Sequence, residues 1–297
     1  MTLEQLRIFA AVAEREHVTK AAGLLNLTQA AVSASVAALE QQHGVKLFDR
    51  LGRGVALTAA GRQFLPEAKA LLRNAAAAEA ALADFAGLQR GRLKVHASQT
   101  IASYLLPAVL AGFRREHPGV TVELAIGNTA QVARALREGE AELGFVEGPF
   151  EAADLSVAEV AAERMTVFVP HGHPWGQGGA LTPRDLRRAD WVFREAGSGT
   201  REAFLAALAG LGIEAGALNI VMTLPSNEAV REAVAAGAGV GCLSPLVCDR
   251  AVQAGVLRRA NLLLPPRQFN AVRHKERYVS QASAAFLRAA QAWRRVL

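Results

Sequence analysis

The sequence predicts an α+β protein in three parts: an α-rich N-terminal unit closed by a small hairpin, one long helix, and a larger α/β region in two lobes. Three observations carry this. Short apolar stripes at helical spacing run through residues 1–45 into a glycine-flanked basic turn. A heptad stripe follows over residues 64–85. From residue 92 onward, apolar strands alternate with amphipathic helices, the pattern of layered α/β structure.

The elements follow in order. Leu3, Leu6, Phe9, Val12 and Ala13 form the stripe of a first helix. Thr19 stands where it can cap a second helix holding Ala21, Ala22, Leu24 and Leu25. Asn26 and Leu27 connect it to a third helix, which Thr28 caps, Val32, Val36 and Leu39 line on one face, and Gly44 ends. Residues 47–58 place Gly52, Arg53 and Gly54 between apolar ends and read as a hairpin. Residues 58–87 read as one helix. Its Phe64, Ala68, Leu71, Ala75, Ala78, Leu82 and Phe85 alternate four and three apart, the period of a two-helix seam. Packing on its own domain is the other reading; the strict spacing favours a homodimer through this helix. Gly87, Gln89, Arg90 and Gly91 then break the helix and read as a hinge.

Beyond the hinge, strands are expected at 93–97, 120–124, 143–146, 167–169, 191–193, 220–222 and 240–243, in mostly parallel sheets. Helices are expected after the first strand, over 129–138, near 201–209 and 227–236, and at the C-terminal end around Phe286, Leu287, Ala290 and Trp293. The division expected is 1–60, 61–91 and 92–297, with one lobe formed by 92–162 plus 268–297 and the other by 163–267.

Composition sets the limits. The chain of 297 residues is 51% hydrophobic and 20% charged, ordinary for a globular protein able to bury a full core. The first eighteen residues carry Glu4, Arg7, Glu14, Arg15 and Glu16, unlike a signal peptide, and no long uncharged apolar run suggests a membrane span. A cytoplasmic protein without a membrane partner is the expectation. Cys242 and Cys248 are too few for a disulfide framework and lack zinc spacing. His171 and His173 have no paired ligands, and no nucleophile–base–carboxylate set presents itself, so neither metal, cofactor nor catalytic residue is expected.

The net charge of +6 permits an anionic partner. Two helices joined by a tight turn, the second capped, form a helix-turn-helix layout. With Val32, Val36 and Leu39 inward, Ala30, Ser33, Ala34 and Ala37 face outward and Gln29 stands at the N-terminal shoulder. Small residues let such a helix enter a major groove, where Gln29 can pair with adenine, Ser33 with several bases, and the methyls of Ala30 and Ala31 with thymine. Thr28 and the free amides of the first turn suit a phosphate. The hairpin segment brings Lys46, Arg50, Arg53 and Arg62 against Asp49, a net +3, and Arg50 and Arg53 suit the DNA backbone or minor groove. Spacing alone leaves open a three-helix protein-contact domain with a solvated basic loop.

Phe9, Val12, Thr19, Ala21, Ala22, Leu24, Leu27, Gln29, Val32, Ser33, Leu39, Glu40, Gly44, Leu47, Phe48, Arg50, Leu57, Thr58 and Gly61 hold an order and spacing across some sixty residues. In these the chain resembles the winged helix-turn-helix of LysR-type transcriptional regulators, and the resemblance extends through the long helix to the C-terminal region. Ala30 stands where that family usually has proline, and Ala34 where many members carry Arg or His. The resemblance implies a regulator rather than an enzyme, binding double-stranded DNA as a homotetramer, with a two-lobed, periplasmic-binding-protein-like effector domain. A small-molecule-binding protein whose N-terminal domain makes protein contacts is the alternative.

Four loops after expected strands carry small polar residues ahead of helices: Ser98, Gln99 and Thr100; Asn128 and Thr129; Ser198, Gly199, Thr200 and Arg201; and Ser226. Strand ends are where α/β crevices bind ligands, and helix N-termini favour anions. Arg201 adds a fork suited to carboxylate, sulfate or phosphate. Each loop alone is also an ordinary helix cap; together they point to a small anionic effector. The run from Arg194 to Arg201 resembles a subgroup of the family tied to sulfur or other anion-linked metabolism.

Overall fold

The computed structural model describes residues 1–52, 54–85 and 91–292, and the chain divides into two compact units, Met1–Phe85 and Ala86–Leu297. Among the described residues no single helix is long and apolar enough to cross a membrane.

The first unit comprises α1 (Leu3–Arg15), α2 (Val18–Leu25), α3 (Gln29–His43), the hairpin of β1 (Phe48–Leu51) and β2 (Gly54–Leu57), and α4 (Ala59–Phe85). Thr2 and Gln5 form a reciprocal capping box that starts α1. Asn26, at φ +55°, ends α2 in the left-handed conformation, the role a turn glycine would otherwise fill. The expectation that Thr19 caps α2 is corrected. The helix begins at Val18, so Thr19 lies in its first turn and its hydroxyl reaches Gln29 instead.

Phe9 is the centre of packing, with ring centroids 5.4 Å from Phe48 and 5.1 Å from Phe64. Phe64 and Ala68, the first two seam positions, are part of this same core, beside Leu6, Leu39 and Leu47. They belong to the unit's own packing because α4 starts against the hairpin. Gly61 makes that approach possible: a Cβ there would lie 2.2 Å from the Leu47 carbonyl oxygen. Further along, Leu71 is 42% and Leu82 71% exposed, an apolar stripe without cover inside the unit. The side chain of Phe85 lies outside the described residues, as do Gly87, Gln89, Arg90 and Trp293, while Gly91 opens the next strand.

The second unit runs β3 (Gly91–Ser98), a π-helical turn (Ile101–Leu105), α5 (Leu106–Glu116), β4 (Val120–Gly127), α6 (Thr129–Glu138), β5 (Leu143–Glu147), β6 (Leu155–Arg164), β7 (Thr166–Pro170), α7 (Pro183–Arg188), β8 (Asp190–Arg194), α8 (Gly199–Gly210), β9 (Asn219–Leu224), α9 (Asn227–Ala235), β10 (Gly241–Leu243), α10 (Pro245–Gln253), β11 (Leu257–Arg259), β12 (Pro266–His274) and α11 (Gln281–Ala292). One lobe is a five-stranded sheet in the order β4-β3-β5-β12-β6, its core built on Phe113, Phe145, Phe269 and Phe286. In the other, β7 lies between β10 and β11, and the β8–β9 pair joins them through a bridge between Trp191 and Val240. Trp191 is fully buried there, and its indole N–H donates to the Leu186 carbonyl at 2.8 Å.

The sheets are more mixed than expected. β3 is parallel to β4 and β5, but β12 runs antiparallel to β5 and β6, and β7 to β10 and β11. The chain crosses between lobes without an intervening helix, from β6 to β7 and from β11 back to β12.

Candidate functional site

Two constellations stand out. The first is the exposed face of α3. Thr28 caps this helix, its hydroxyl oxygen accepting from the Ala31 amide at 3.2 Å. Val32 and Leu39 are buried beneath, while Gln29, Ala30, Ala31, Ser33, Ala34 and Ala37 are exposed. Thr19 of α2 donates to the Gln29 amide oxygen at 3.1 Å, which orients the Gln29 side chain at the start of α3.

The hairpin is held to the same helix by Glu40, 7% exposed. Its carboxylate accepts from the amides of Leu47 at 2.8 Å and Phe48 at 3.2 Å and from the Lys46 ammonium at 2.7 Å. Burial pushes the Glu40 carboxyl up, but Lys46 and the two amides more than offset it and hold it below the usual glutamate range. On the other side, the Val55 amide donates to the Glu16 carbonyl at 3.0 Å. Arg50 is exposed on β1. Gly52 follows β1 at φ +55°, and Arg53 lies outside the described residues.

The second constellation lies between the two lobes, at the C-terminal ends of β3, β4 and β5. Ser98 ends β3, Asn128 follows β4, and Glu147 ends β5. Opposite them stand the N-termini of α8 and α9. The lobes are tied by direct contacts. Asn227 donates its backbone amide to Gln99 at 2.7 Å and its side-chain amide to the Thr100 oxygen at 3.0 Å. Asn128 donates to Glu195 at 3.2 Å, and Tyr104 of the π-helical turn to Glu228 at 3.1 Å. The Ala130 amide reaches the Gly197 carbonyl at 3.2 Å. Gly199 fits only as glycine, since a Cβ would lie 1.9 Å from the Glu147 carbonyl oxygen.

At the centre, Glu147 Oε1 accepts from the hydroxyls of Thr100 at 3.1 Å and Thr200 at 2.9 Å, with the Arg267 guanidinium 3.5 Å away. Arg267 in turn donates to Thr200 at 3.1 Å and to Glu163 at 2.6 Å. Buried Arg194 bonds Asn227 and forms a salt bridge with Glu195. Burial pushes Glu195 up, but Arg194 outweighs it and the carboxyl sits below its ordinary range. Among the described residues, two buried polar atoms in this centre have no hydrogen-bond partner: Ser98 Oγ and Glu147 Oε2.

Thus Ser98, Gln99, Thr100, Asn128, Thr129, Ser198, Gly199 and Thr200 all lie at this interface, Thr129 donating to the Glu147 carbonyl at 3.3 Å and Ser198 making no cap bond. Ser226 caps α9, accepting from Ala229 at 3.0 Å. Arg201 stands beside the interface, half-buried: its guanidinium donates to the Arg194 carbonyl at 3.1 Å and lies 5.5 Å over the Phe193 ring.

Sequence reasoning missed Glu147, Glu163 and Arg267, placed Asn227 in the loop before α9 without choosing it as a site residue, and took Arg194 as part of a run without a role. The strand-end position was the available signal for Glu147; none pointed to Arg267 or Glu163. Among the described residues, no group of three His, Cys, Asp or Glu side chains is arranged to hold a metal ion.

Residues 3–62 match the model of the bacterial regulatory helix-turn-helix protein, lysR family, and residues 86–295 that of the LysR substrate binding domain. The chain is 35% identical over 289 residues to the HTH-type transcriptional regulator YeiE of Escherichia coli, covering 97% of this chain and 96% of that protein. The full-length CbnR complexed with its target DNA shares the fold at TM-score 0.71 and 24% identity, over 98% of this chain and 99% of that one. The Synechocystis CcmR regulatory domain in complex with 2-PG matches at TM-score 0.62 and 25% identity, over 68% of this chain and 97% of that one.

Proposed function

The chain belongs to the LysR family of DNA-binding transcription regulators, which are not enzymes, and we propose that it reads operator DNA through α3 under the control of a small anion held between its lobes. In this reading residues 1–60 bind DNA, 61–91 link two chains, and 92–297 bind the effector. Gln29 and Ser33 read base edges, Ala30 and Ala31 meet thymine methyls, and Thr28, Arg50 and Arg53 meet phosphates or the minor groove. The observation that carries this half is the exposed, small-residue face of α3, with Gln29 oriented by Thr19 at the shoulder. The exposed Leu71 and Leu82 support pairing through α4, and a homotetramer is the proposed working form.

The effector half rests on the buried polar centre between the lobes. Ser98, Thr100, Thr129, Ser198 and Thr200 supply hydroxyls there, and α6, α8 and α9 begin beside it. Gln99, Asn128, Arg201 and Ser226 line or brace its rim. Glu147 already takes the Thr100 and Thr200 hydroxyls, so a fully deprotonated anion meets a carboxylate. The unpartnered Glu147 Oε2 and Ser98 Oγ favour an anion that still carries an O–H or N–H donor. The CcmR regulatory domain, solved with 2-PG, supports a small ligand in a domain of this family.

The test is binding of the purified protein to its own upstream DNA. Affinity is expected to fall steeply as salt rises. Gln29→Ala and Ser33→Ala are expected to cost about 1–3 kcal/mol of sequence discrimination without unfolding the chain. No shift of any such fragment at low salt overturns the DNA reading.

A further inference from the structure

The region where the chain crosses between lobes holds a partly open cavity, distinct from the polar centre. It has a volume of about 390 Å³. Phe150 lines it from the loop after β5, Ala203 and Ala207 from α8, Met165 and Leu264 from the two crossovers, and Asn270 from β12. That volume lies within the range of small-molecule sites, which combine apolar walls with a few placed polar groups. The alanines along one face of α8 leave the space open.

Charge and hydrogen bonding narrow the occupant. Arg267 also borders the cavity, but its guanidinium is spent on Glu163 and Thr200. Among the described residues no unpaired ionised side chain lines the walls, so an ion would give up hydration without compensation. Asn270 lines the wall, half-buried, and among the described residues its side chain makes no hydrogen bond. We infer that this cavity binds a small neutral molecule, largely apolar or aromatic, carrying one hydrogen-bonding group that meets Asn270. Its position gives such a ligand leverage. Its walls come from both lobes and both crossovers, so a molecule that fits one interlobe arrangement better favours that arrangement. The inference does not depend on an anion at the polar centre.

The experiment uses the full chain with 1-naphthol as probe and 1-naphthoate as its charged counterpart, followed by calorimetry and melting temperature. 1-Naphthol is expected to bind saturably, one per chain, and to raise the melting temperature, with 1-naphthoate binding more weakly. Ala206 borders the cavity and is exposed, so Ala206→Phe is expected to fold normally and to abolish binding. Asn270→Leu, which keeps the apolar volume, is expected to weaken 1-naphthol. Absence of saturable 1-naphthol binding, equal or tighter binding of 1-naphthoate, or binding indifferent to both substitutions overturns the inference. Glycolate, a small anion that keeps an O–H donor, titrated in parallel reports on the polar centre alone, so its failure bears on the effector reading and not on this one.

Discussion

Replacing Glu40 by alanine strips the hairpin of its anchor on the recognition helix. The carboxylate is 7% exposed and accepts from two main-chain amides, Leu47 and Phe48. An orphaned buried donor costs roughly 1–3 kcal/mol. Leu47 is buried and Phe48 half-buried, so the pair amounts to roughly 2–4 kcal/mol of local stability. Lys46 adds little, because its side chain is 78% exposed and such ion pairs contribute about 0–1 kcal/mol. The three tryptophans, Trp175, Trp191 and Trp293, all lie beyond residue 85 and do not report on this unit. The assay is therefore hydrogen exchange of the 45–58 peptide in the full chain. Glu40→Ala is expected to speed exchange of the Leu47 and Phe48 amides by about 30-fold or more, since each 1.4 kcal/mol is about tenfold. It should also weaken operator binding, while Lys46→Met leaves both nearly unchanged. Glu40 sits below the ordinary glutamate pKa, so its contribution is complete above about 4.3 and lost as pH falls through the lower folded-state value. Unchanged exchange in Glu40→Ala would refute the reasoning.

Other expectations follow from single contacts. Gly199→Ala places a Cβ 1.9 Å from the Glu147 carbonyl oxygen, so the lobes cannot meet as they do here; DNA binding should persist while calorimetry detects no effector binding. Leu82→Glu, at a position 71% exposed, should leave the thermal unfolding of the chain unchanged and shift sedimentation toward smaller species. Burial pushes the Cys248 thiol up to about 12 and holds Cys242 well above its usual value. Both should react with a thiol reagent at pH 8 only after denaturant is added, and rapid reaction in the native chain would contradict their burial.

The first unit was largely legible because its helices carry their own signals: an apolar stripe, a capping Thr28 and a closing Gly44. What failed there was local. Thr19 is a good cap by type, but α2 starts a residue earlier and leaves its hydroxyl for Gln29. Phe64 and Ala68 fit a heptad and a domain core equally well, and only Gly61, by letting α4 close on the hairpin, shows which they serve. In the second unit, strand ends marked Ser98, Thr100 and Asn128 as site residues, because small polar residues before a helix have a local cause. Glu147 and Arg267 had no such cause. Thr100 and Glu147 are 47 residues apart, Thr200 and Arg267 67, so their pairing exists only after both lobes are built. β12 escaped notice for a similar reason: it lies between β5 and β6, strands that come far earlier in the chain.

The central claim is that a ligand between the lobes changes how the paired chains meet DNA. The most direct measurement is the footprint and bend of the upstream DNA with and without an anion that raises the melting temperature, in the natural chain and in Thr100→Val with Ser198→Ala. The account predicts a ligand-dependent change in the natural chain and none in the variant, with equal DNA affinity when no ligand is present. A footprint and bend that stay the same with every anion that binds would contradict it.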